Sequence, residues 1–555
     1  MKKLLAAFSI SALLIAQEKV DEANSAKMRS EELEHSQIMH TLHMLTDRYG
    51  PRVTGSPNHE MAAKWAAAEM TKWGFKNVHL EPWEFGHPGW LNESATAKIV
   101  APVHQNLKFE VIAWTPSTRG KVTGSAIQVI PPQGPMPPAP DPAQAAAAAA
   151  FGGGRGGPTR LPPTKEEFAK WLAETKSKVK GKIVLVGKAA VIPVNFDPPQ
   201  KRQPDDRVKA QYDPANPNGG RGGRGGGRGA APTPDPMRMT ANDMAEQIDA
   251  MLATSGAMAR VNDAARGEGI IVAQGHRGYD VATAAPTIVV RNDDFGRMER
   301  LLDDGEDVKL ELDIVNHIYP EGKTSYNVIA EIPGSDKADE VVMLGGHLDS
   351  WHSATGATDN AIGCSMMMEA ARLIQNAGLK PRRTIRVALW SGEEEGLLGS
   401  LAYVKAHFGT AEDPKPEWYK LDAYFNVDSG TGRLRGASVF GPPEAAAALR
   451  PVLKQFEDFG IYGALPNSSR VVAGTDSTSF NNAGLPGIGM GQDPIEYGTM
   501  THHTNLDTYE RIIPDDVKKA AAILAAEVWH VSQRDEMLPR FAKDKMPAPV
   551  AIPKF

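Results

Sequence analysis

Polar residues follow three apolar runs in the second half of this 555-residue chain, and this pattern limits the folds open to it. The runs are Val341–Leu344, Thr384–Trp390 and Tyr424–Val427. His347, Glu393 and Asp428 come soon after them, and helical patterns separate one run from the next. Strands that alternate with helices predict an α/β fold with a mostly parallel central sheet flanked by helices. Such sheets carry their sites at the carboxyl ends of the strands, so we expect these side chains to meet at one edge.

The length of the chain and an abrupt change in its composition predict two folded units. A chain of 555 residues exceeds the size at which one hydrophobic core usually stops growing. Two low-complexity tracts, rich in Pro, Ala and Gly (131–157) and in Gly-Gly-Arg (219–229), are typical of flexible loops. RNA binding by the arginine–glycine repeat is the alternative. We predict an inserted β-rich domain at 117–315, within a host domain formed by 28–116 and 316–540.

Local patterns predict the individual elements. Apolar runs predict strands of the inserted domain at Lys182–Val186, Gly269–Val272 and Thr287–Val290. Helical spacing predicts helices at Met28–Gly50, Ile362–Ile374, Leu397–His407, Glu444–Phe459 and Pro514–Val531. Pro451 is expected to break or restart the helix that contains it. Pro82 cannot donate a ladder hydrogen bond, so Val78–Phe85 is expected to be an edge strand.

The start of the chain predicts export. Lys2 and Lys3 precede an uncharged, mostly apolar run over residues 4–16, which is the pattern of a signal peptide covering residues 1–16. The expected location is therefore secreted or periplasmic. The run is short for a spanning helix, so we expect no stable membrane span after cleavage. An uncleaved anchor is the alternative.

Charge and cysteine content disfavour two classes of function. The chain has 61 basic and 67 acidic side chains, a net charge of −6, which argues against nucleic acid as the main partner. Cys364 is the single cysteine, so the chain has no internal disulfide. It falls in a predicted helix among methionines, which favours a buried apolar role over a catalytic thiol.

Nitrogen and oxygen donors near the predicted strand ends favour a metal site. The candidate donors are His347, Asp359, the glutamates 393–395, Asp428, and His502 or His503. Zinc hydrolases combine such ligands with one spare carboxylate that acts as a base. Three adjacent glutamates repel one another, which makes a neutralising cation more plausible, and one can bind metal while its neighbour faces water. Asp349 points to the same side of an extended chain as His347 and could orient its imidazole.

Each of these residues also has a simpler explanation. Asp359 opens a predicted helix and would serve as its N-cap. The glutamate run fits a solvated acidic loop or the first turn of a helix. Asp428 precedes Ser429-Gly430 and fits a turn. Spacing alone does not choose between His502 and His503.

Several motifs resemble the bridged di-zinc exopeptidases, a family that includes zinc aminopeptidases and the carboxypeptidase Q-like branch. They are His347-Leu348-Asp349-Ser350-Trp351, Thr358-Asp359-Asn360-Ala361-Ile362-Gly363, Leu389-Trp390-Ser391-Gly392-Glu393-Glu394 and His503-Thr504-Asn505-Leu506-Asp507-Thr508. Gly50-Pro51-Arg52 with Thr54-Gly55-Ser56 is similar to the N-terminal segment of the carboxypeptidase Q-like branch. The inserted block resembles a protease-associated domain through Gly181-Lys182-Ile183-Val184 and Ala285-Pro286-Thr287. His352 departs from that branch, which has an acidic residue there.

The resemblance implies a role for each candidate and a cofactor of two Zn²⁺ ions. It implies that His347 and Asp428 bind one zinc, that Glu394 and His503 bind the other, and that Asp359 bridges them. It further implies a cis peptide between Asp359 and Asn360, Glu393 as general base, Asp349 as a partner of His347, and a homodimer. His503 is preferred over His502 because the family's histidine directly precedes a Thr-x-x-Asp-Thr run.

The implied activity is hydrolysis of peptide bonds at chain ends, by an aminopeptidase or a dipeptidase. A metal-bridging hydroxide would attack the peptide carbonyl, and Glu393 would take its proton. Two alternatives remain: a non-catalytic binding or receptor protein on the same fold, and a glutaminyl cyclase-like enzyme. The complete ligand set favours hydrolysis, whereas the sequence does not decide which end of the peptide is recognised.

Overall fold

The computed structural model describes residues 19–136, 160–196, 198–216, 235–470 and 474–549. The predicted signal peptide and most of the two low-complexity tracts lie outside these residues. The strands, in chain order, are β1 (Lys76–Glu84), β2 (Gly89–Ala101), β3 (Gln105–Asn106), β4 (Phe109–Val111), β5 (Val122–Val129), β6 (Ile183–Val186), β7 (Ala259–Asp263), β8 (Thr287–Val290), β9 (Lys309–Tyr319), β10 (Thr324–Ile332), β11 (Lys337–His347), β12 (Arg383–Trp390), β13 (Leu421–Asn426), β14 (Leu434–Phe440), β15 (Ala464–Asn467) and β16 (Gly487–Gln492). The α-helices are α1 (Glu22–His35), α2 (Ile38–His43), α3 (Pro57–Lys72), α4 (Lys165–Lys176), α5 (Asp205–Tyr212), α6 (Ala241–Ser255), α7 (Asn292–Asp303), α8 (Ile362–Asn376), α9 (Leu398–His407), α10 (Pro443–Lys454), α11 (Ser477–Asn482) and α12 (Pro514–Gln533).

The first sheet confirms the predicted α/β class. Its strand order is β1-β10-β12-β11-β13-β16-β14-β15. The four central strands, β12, β11, β13 and β16, are parallel, whereas β10, β1 and β14 run antiparallel to their inner neighbours. The sheet is therefore parallel where the polar motifs end their strands and mixed towards its margins. β1 contains Pro82 and lies at the edge, as predicted.

Helices cover both faces of this sheet. Val342 and Leu344 of β11 face one core, which also holds α8, α12 and the N-terminal helices. Val341 and Met343 face a second core that includes Tyr403 of α9. Successive side chains of a strand point to opposite faces, so a strand buried on both faces is apolar throughout. This explains why the run at 341–344 shows no polar alternation.

The second sheet begins earlier in the chain than the predicted boundary at residue 117. Its order is β3-β2-β9-β5-β6-β7-β8-β4, so β2, β3 and β4 pair within it. Strands β5 to β8 are parallel to one another. The sheet carries helices as well as strands: Phe168 of α4 and Leu252 of α6 share one core with Val184, and Phe295 of α7 lies in another. The second sheet and the helices packed against it, which we call the second unit, thus combine eight strands with α-helices. The division of the chain into domains stays a prediction.

Three local predictions were wrong. Gly269–Val272 is not a strand; Gly269 has φ +73°, and Val272 makes only an isolated bridge, to Thr504. The strand of this region is β7. Helix α10 continues through Pro451 to Lys454; the proline removes one hydrogen bond from the ladder, but the buried side chains of Leu449, Val452 and Leu453 pack the helix on both sides of it. The predicted helix at 28–50 is divided, because Ser36 leaves the helical region with ψ 135°.

Candidate metal centre

The carboxyl ends of three neighbouring strands place four candidate metal ligands at one edge of the sheet. His347 is the last residue of β11, Glu393 and Glu394 follow β12, and Asp428 follows β13. The His347 side chain is fully buried, and its Nε2 lies 3.6 Å from Asp428 Oδ2 and 3.9 Å from Glu393 Oε2. Parallel strands in register bring their carboxyl ends to a common edge, and here that edge is densely charged.

Asp359 lies between His347 and His503, the two histidines predicted as ligands. Its Oδ1 is 3.3 Å from His347 Nε2, and its Oδ2 is 3.3 Å from His503 Nε2. Asp359 has non-helical backbone angles, and its peptide bond to Asn360 is cis. Asn360 donates from Nδ2 to the carbonyl of Val427, beside Asp428. The side chain of Asp359 faces the cluster, and no N-cap hydrogen bond from it is present at the start of α8.

The two adjacent histidines occupy different environments. His503 Nε2 lies 2.8 Å from Glu394 Oε2, and the His503 side chain is 23% exposed. His502 stacks on His503 at 3.7 Å between ring centroids, is 46% exposed, and places Nε2 3.8 Å from Asp359 Oδ2. His503 therefore has the shorter contacts to two carboxylates.

Asp349 contacts His347 in a different way from the one expected. His347 Nδ1 lies 3.1 Å from the backbone carbonyl of Asp349, while the Asp349 carboxylate is 3.8 Å away. That carboxylate instead accepts the backbone N–H groups of Glu393 at 3.3 Å and Glu394 at 3.2 Å. One residue thus orients the imidazole through its carbonyl and fixes the glutamate loop through its side chain.

The donor set fits a divalent metal. Ligand atoms of His347, Asp359 and Glu394 lie within 4.8 Å of one another, as do those of Asp359, His502 and His503. Three buried atoms in this cluster, His347 Nε2, Asp359 Oδ2 and Glu394 Oε1, have no hydrogen-bond partner. Buried polar atoms are normally paired, so these three atoms, which belong to side chains whose ligand atoms lie close together, fit the donors of a bound cation.

The electrostatics of the cluster lead to the same conclusion. Burial raises the pKa of Glu394 well above its ordinary value, and the charge of Asp359 raises it further. Burial likewise raises the pKa of Glu393, with Asp428 adding to the effect. Burial alone would lower the pKa of His347, but the charges of Glu393 and Asp428 raise it well above its usual range. Buried carboxylates this close together favour a bound cation.

Sequence reasoning missed several residues that shape the site. Asp507 accepts backbone N–H groups from the Asp359 loop. Tyr497 donates its hydroxyl to Asp428 Oδ1 at 3.3 Å. The buried Arg52 guanidinium donates to the carbonyls of Leu348, Leu45, Thr355 and Gly356. Asp507 and Arg52 were visible as parts of quoted motifs, but only long-range contacts reveal their partners.

His352 links the site region to the second sheet. Its Nε2 hydrogen bonds to the carbonyl of Val111 in β4, and its ring meets Trp90 edge-on at 4.7 Å between centroids. Burial lowers the pKa of His352 to about 4, so it stays neutral at pH 7. A neutral residue at this position suits a contact with a carbonyl oxygen.

The fold and this donor set are similar to those of the zinc metallopeptidases. Residues 327–528 match the model of Peptidase family M28. Carboxypeptidase Q of Mus musculus is 32% identical over 255 residues, which cover 46% of this chain and 52% of the relative. Leupeptin-inactivating enzyme 1 of Streptomyces exfoliatus is 34% identical over 174 residues, covering 30% and 36% respectively. The chain thus spans about half the length, or less, of the curated relatives it matches.

Solved structures share the fold over most of the chain. A peptidase M28 precursor from Shewanella amazonensis SB2B aligns with a TM-score of 0.61 at 23% identity, covering 93% of this chain and 98% of that one. BSAP, a zinc aminopeptidase from Bacillus subtilis, aligns with a TM-score of 0.53 at 15% identity, covering 92% and 97%. In the described ranges, no helix combines the length and apolar character needed to cross a membrane.

Proposed function

We propose that this chain is an exported di-zinc exopeptidase that hydrolyses peptide bonds at chain ends, as an aminopeptidase or a dipeptidase. The observation that carries the proposal is the position of Asp359, whose two carboxylate oxygens each lie 3.3 Å from a different histidine. Two metals about 3.5–4 Å apart need a bridging anion, and one carboxylate with divergent contacts suits that role.

The ligands divide into two groups around Asp359. His347 and Asp428 would hold one zinc, and Glu394 and His503 would hold the other. The nitrogen and carboxylate donors are the types that zinc prefers in hydrolytic sites. Bound zinc supplies a Lewis acid that polarises a carbonyl and makes a water molecule acidic.

Glu393 would move the proton. It lies beside His347, its side chain is 11% exposed, and its backbone is fixed by the Asp349 carboxylate. It belongs to neither ligand pair, so its carboxylate is free to accept a proton from the attacking water. It would then deliver that proton to the amine that leaves when the peptide bond breaks.

Product analysis on a matched peptide set tests this function. The set contains dipeptides, longer peptides, and N-acetylated and C-amidated versions, each with and without a zinc chelator. We expect chelator-sensitive cleavage that acetylation abolishes, and the length series separates an aminopeptidase from a dipeptidase. Cleavage that survives acetylation but not amidation would establish carboxypeptidase action instead. No cleavage by protein that holds two zinc ions would favour a binding protein, and cyclisation of N-terminal glutamine would favour the cyclase.

Export and dimerisation complete the proposal. The two lysines and the apolar run at residues 4–16 support passage through a secretory pathway. N-terminal sequencing of the protein from a periplasmic or culture fraction tests cleavage. The homodimer implied by the resemblance is tested by light scattering coupled to size exclusion. A monomeric mass would rule out the homodimer and would leave the proposed metal site unaffected.

A further inference from the structure

One segment of the second unit lies against the loop that carries His503. Asn505 donates its backbone N–H to the Ile271 carbonyl at 3.0 Å and accepts the Ile271 N–H on Oδ1 at 2.8 Å. Val272 forms a bridge with Thr504. We call these contacts between residues 269–274 and 503–505 the clasp. They flank His503, which has φ +60°, an uncommon value for a residue with a β-carbon.

Within the clasp, Gln274 contacts the imidazole itself. Its Nε2 lies 3.0 Å from His503 Nδ1, while His503 Nε2 faces Glu394 and Asp359. The two ring nitrogens of His503 therefore have different partners: Nδ1 contacts Gln274, and Nε2 faces the carboxylates. A histidine that binds metal usually donates its other N–H to a second group, which fixes the tautomer and the ring orientation.

Gln274 is itself held from both sides. Its carbonyl accepts the N–H of Ala113 at 3.0 Å, and the carbonyl of the preceding Ala273 accepts the Ser353 hydroxyl at 3.0 Å. The nearby His276 is buried and donates its N–H to the Ala113 carbonyl at 2.8 Å. The side chain of Gln274 thus extends from a backbone that the two units fix together.

We propose that Gln274 is a positioning residue for the zinc ligand His503, supplied by the second unit and able to serve both tautomers of the ring. With its amide nitrogen towards Nδ1, it pairs with a ring that carries its proton on Nε2 and donates to Glu394. When the Gln274 amide is rotated by about 180°, its Oε1 accepts the proton on His503 Nδ1. The lone pair of His503 Nε2 is then free to bind zinc. This inference rests on the proposed function.

Two substitutions separate tautomer control from packing. Gln274→Leu keeps a similar volume but removes both polar atoms, whereas Gln274→Glu keeps an acceptor for the Nδ1 proton. We expect Gln274→Leu to weaken binding of the second zinc by about 10- to 100-fold, the usual effect of losing such a partner. We expect Gln274→Glu to bind that zinc at least as tightly as the parent chain.

Zinc affinity and stoichiometry would be measured by calorimetry and chelator competition, with thermal unfolding of the metal-free proteins alongside. Gln128→Leu is the control, because the Gln128 amide makes two hydrogen bonds in the second unit, to Gly187 and Glu299. It should leave zinc affinity unchanged. Equal second-site affinity in the parent, Leu and Glu proteins would overturn the role of Gln274 while leaving the proposed function intact. A parent chain that binds no zinc would overturn both.

Discussion

Asp507 holds the backbone of Asp359. One Asp507 carboxylate oxygen accepts the N–H of Thr358 at 2.5 Å, and the other accepts the N–H of Asp359 at 3.1 Å. Because Asp507 lies four residues after His503, this contact connects the loop of Asp359, the proposed bridging carboxylate, to the loop of His503. The two loops that would share the second metal are thereby fixed relative to each other.

Asp507→Asn should weaken this connection. An amide presents one acceptor and one donor, so one of the two backbone N–H groups would face an NH₂ group. We expect a loss of about 1–3 kcal/mol in unfolding free energy, the usual result of leaving a buried donor unpaired, together with reduced zinc content. Chemical denaturation and metal analysis would measure both. Asp339→Asn, at a side chain that is 91% exposed, is the control and should change neither quantity.

Glu393→Gln should separate binding from catalysis. The amide cannot accept the proton of the attacking water, so turnover is expected to fall by at least about 10²-fold, while zinc content stays at the parent level. Glu395→Gln is the matched neighbour: this side chain is buried beside Thr54, and its loss should leave turnover within a few fold. Retained turnover in Glu393→Gln would assign the base elsewhere.

His503→Ala and His502→Ala should differ in metal stoichiometry. His503 Nε2 lies 2.8 Å from Glu394, and its Nδ1 contacts Gln274. His502 is 46% exposed, and its Nε2 lies 3.8 Å from Asp359, against 3.3 Å for His503 Nε2. We expect His503→Ala to retain one zinc and His502→Ala to retain two, as measured by metal analysis after dialysis. Equal losses in the two variants would contradict the assignment.

Glu527 should make stability depend on pH. It is fully buried in α12, neither carboxylate oxygen has a hydrogen-bond partner, and burial raises its pKa to about 8. The folded state therefore keeps a proton that the unfolded state releases near pH 4.5. The contribution of this bound proton to the unfolding free energy is therefore full below about pH 4.5. It is lost as the pH rises to about 8, by about 1.4 kcal/mol per pH unit.

Glu527→Gln would mimic the protonated form and remove this dependence. Denaturant unfolding at several values between pH 5 and 8 should show a shallower decline in the variant, with a higher unfolding free energy at pH 8. Parallel curves for the two proteins would show that Glu527 does not bind the proton in the folded state.

The site could be anticipated where the signal is local. His347 ends a largely apolar strand, Glu393 and Asp428 each follow one, and strand ends meet at one edge of a parallel sheet. The resemblance supplied the pairing of ligands and the choice of His503. Gln274 escaped notice because its partner lies 229 residues away in sequence. The nearby segment Gly269–Val272, predicted as a strand, makes an isolated bridge to the same distant loop. The partners of Arg52 and Asp507 were hidden for the same reason.

The point where the chain leaves the first sheet has a consequence for how such a protein could arise or be simplified. Glu84 at the end of β1 pairs with Thr324 at the start of β10, so the two ends of residues 85–323 lie side by side. A tight hairpin could join them without disturbing any strand of the first sheet. An ancestral or engineered chain without residues 85–323 would keep the whole first sheet and every proposed zinc ligand. Its His503 would, however, lack the Gln274 amide that contacts Nδ1.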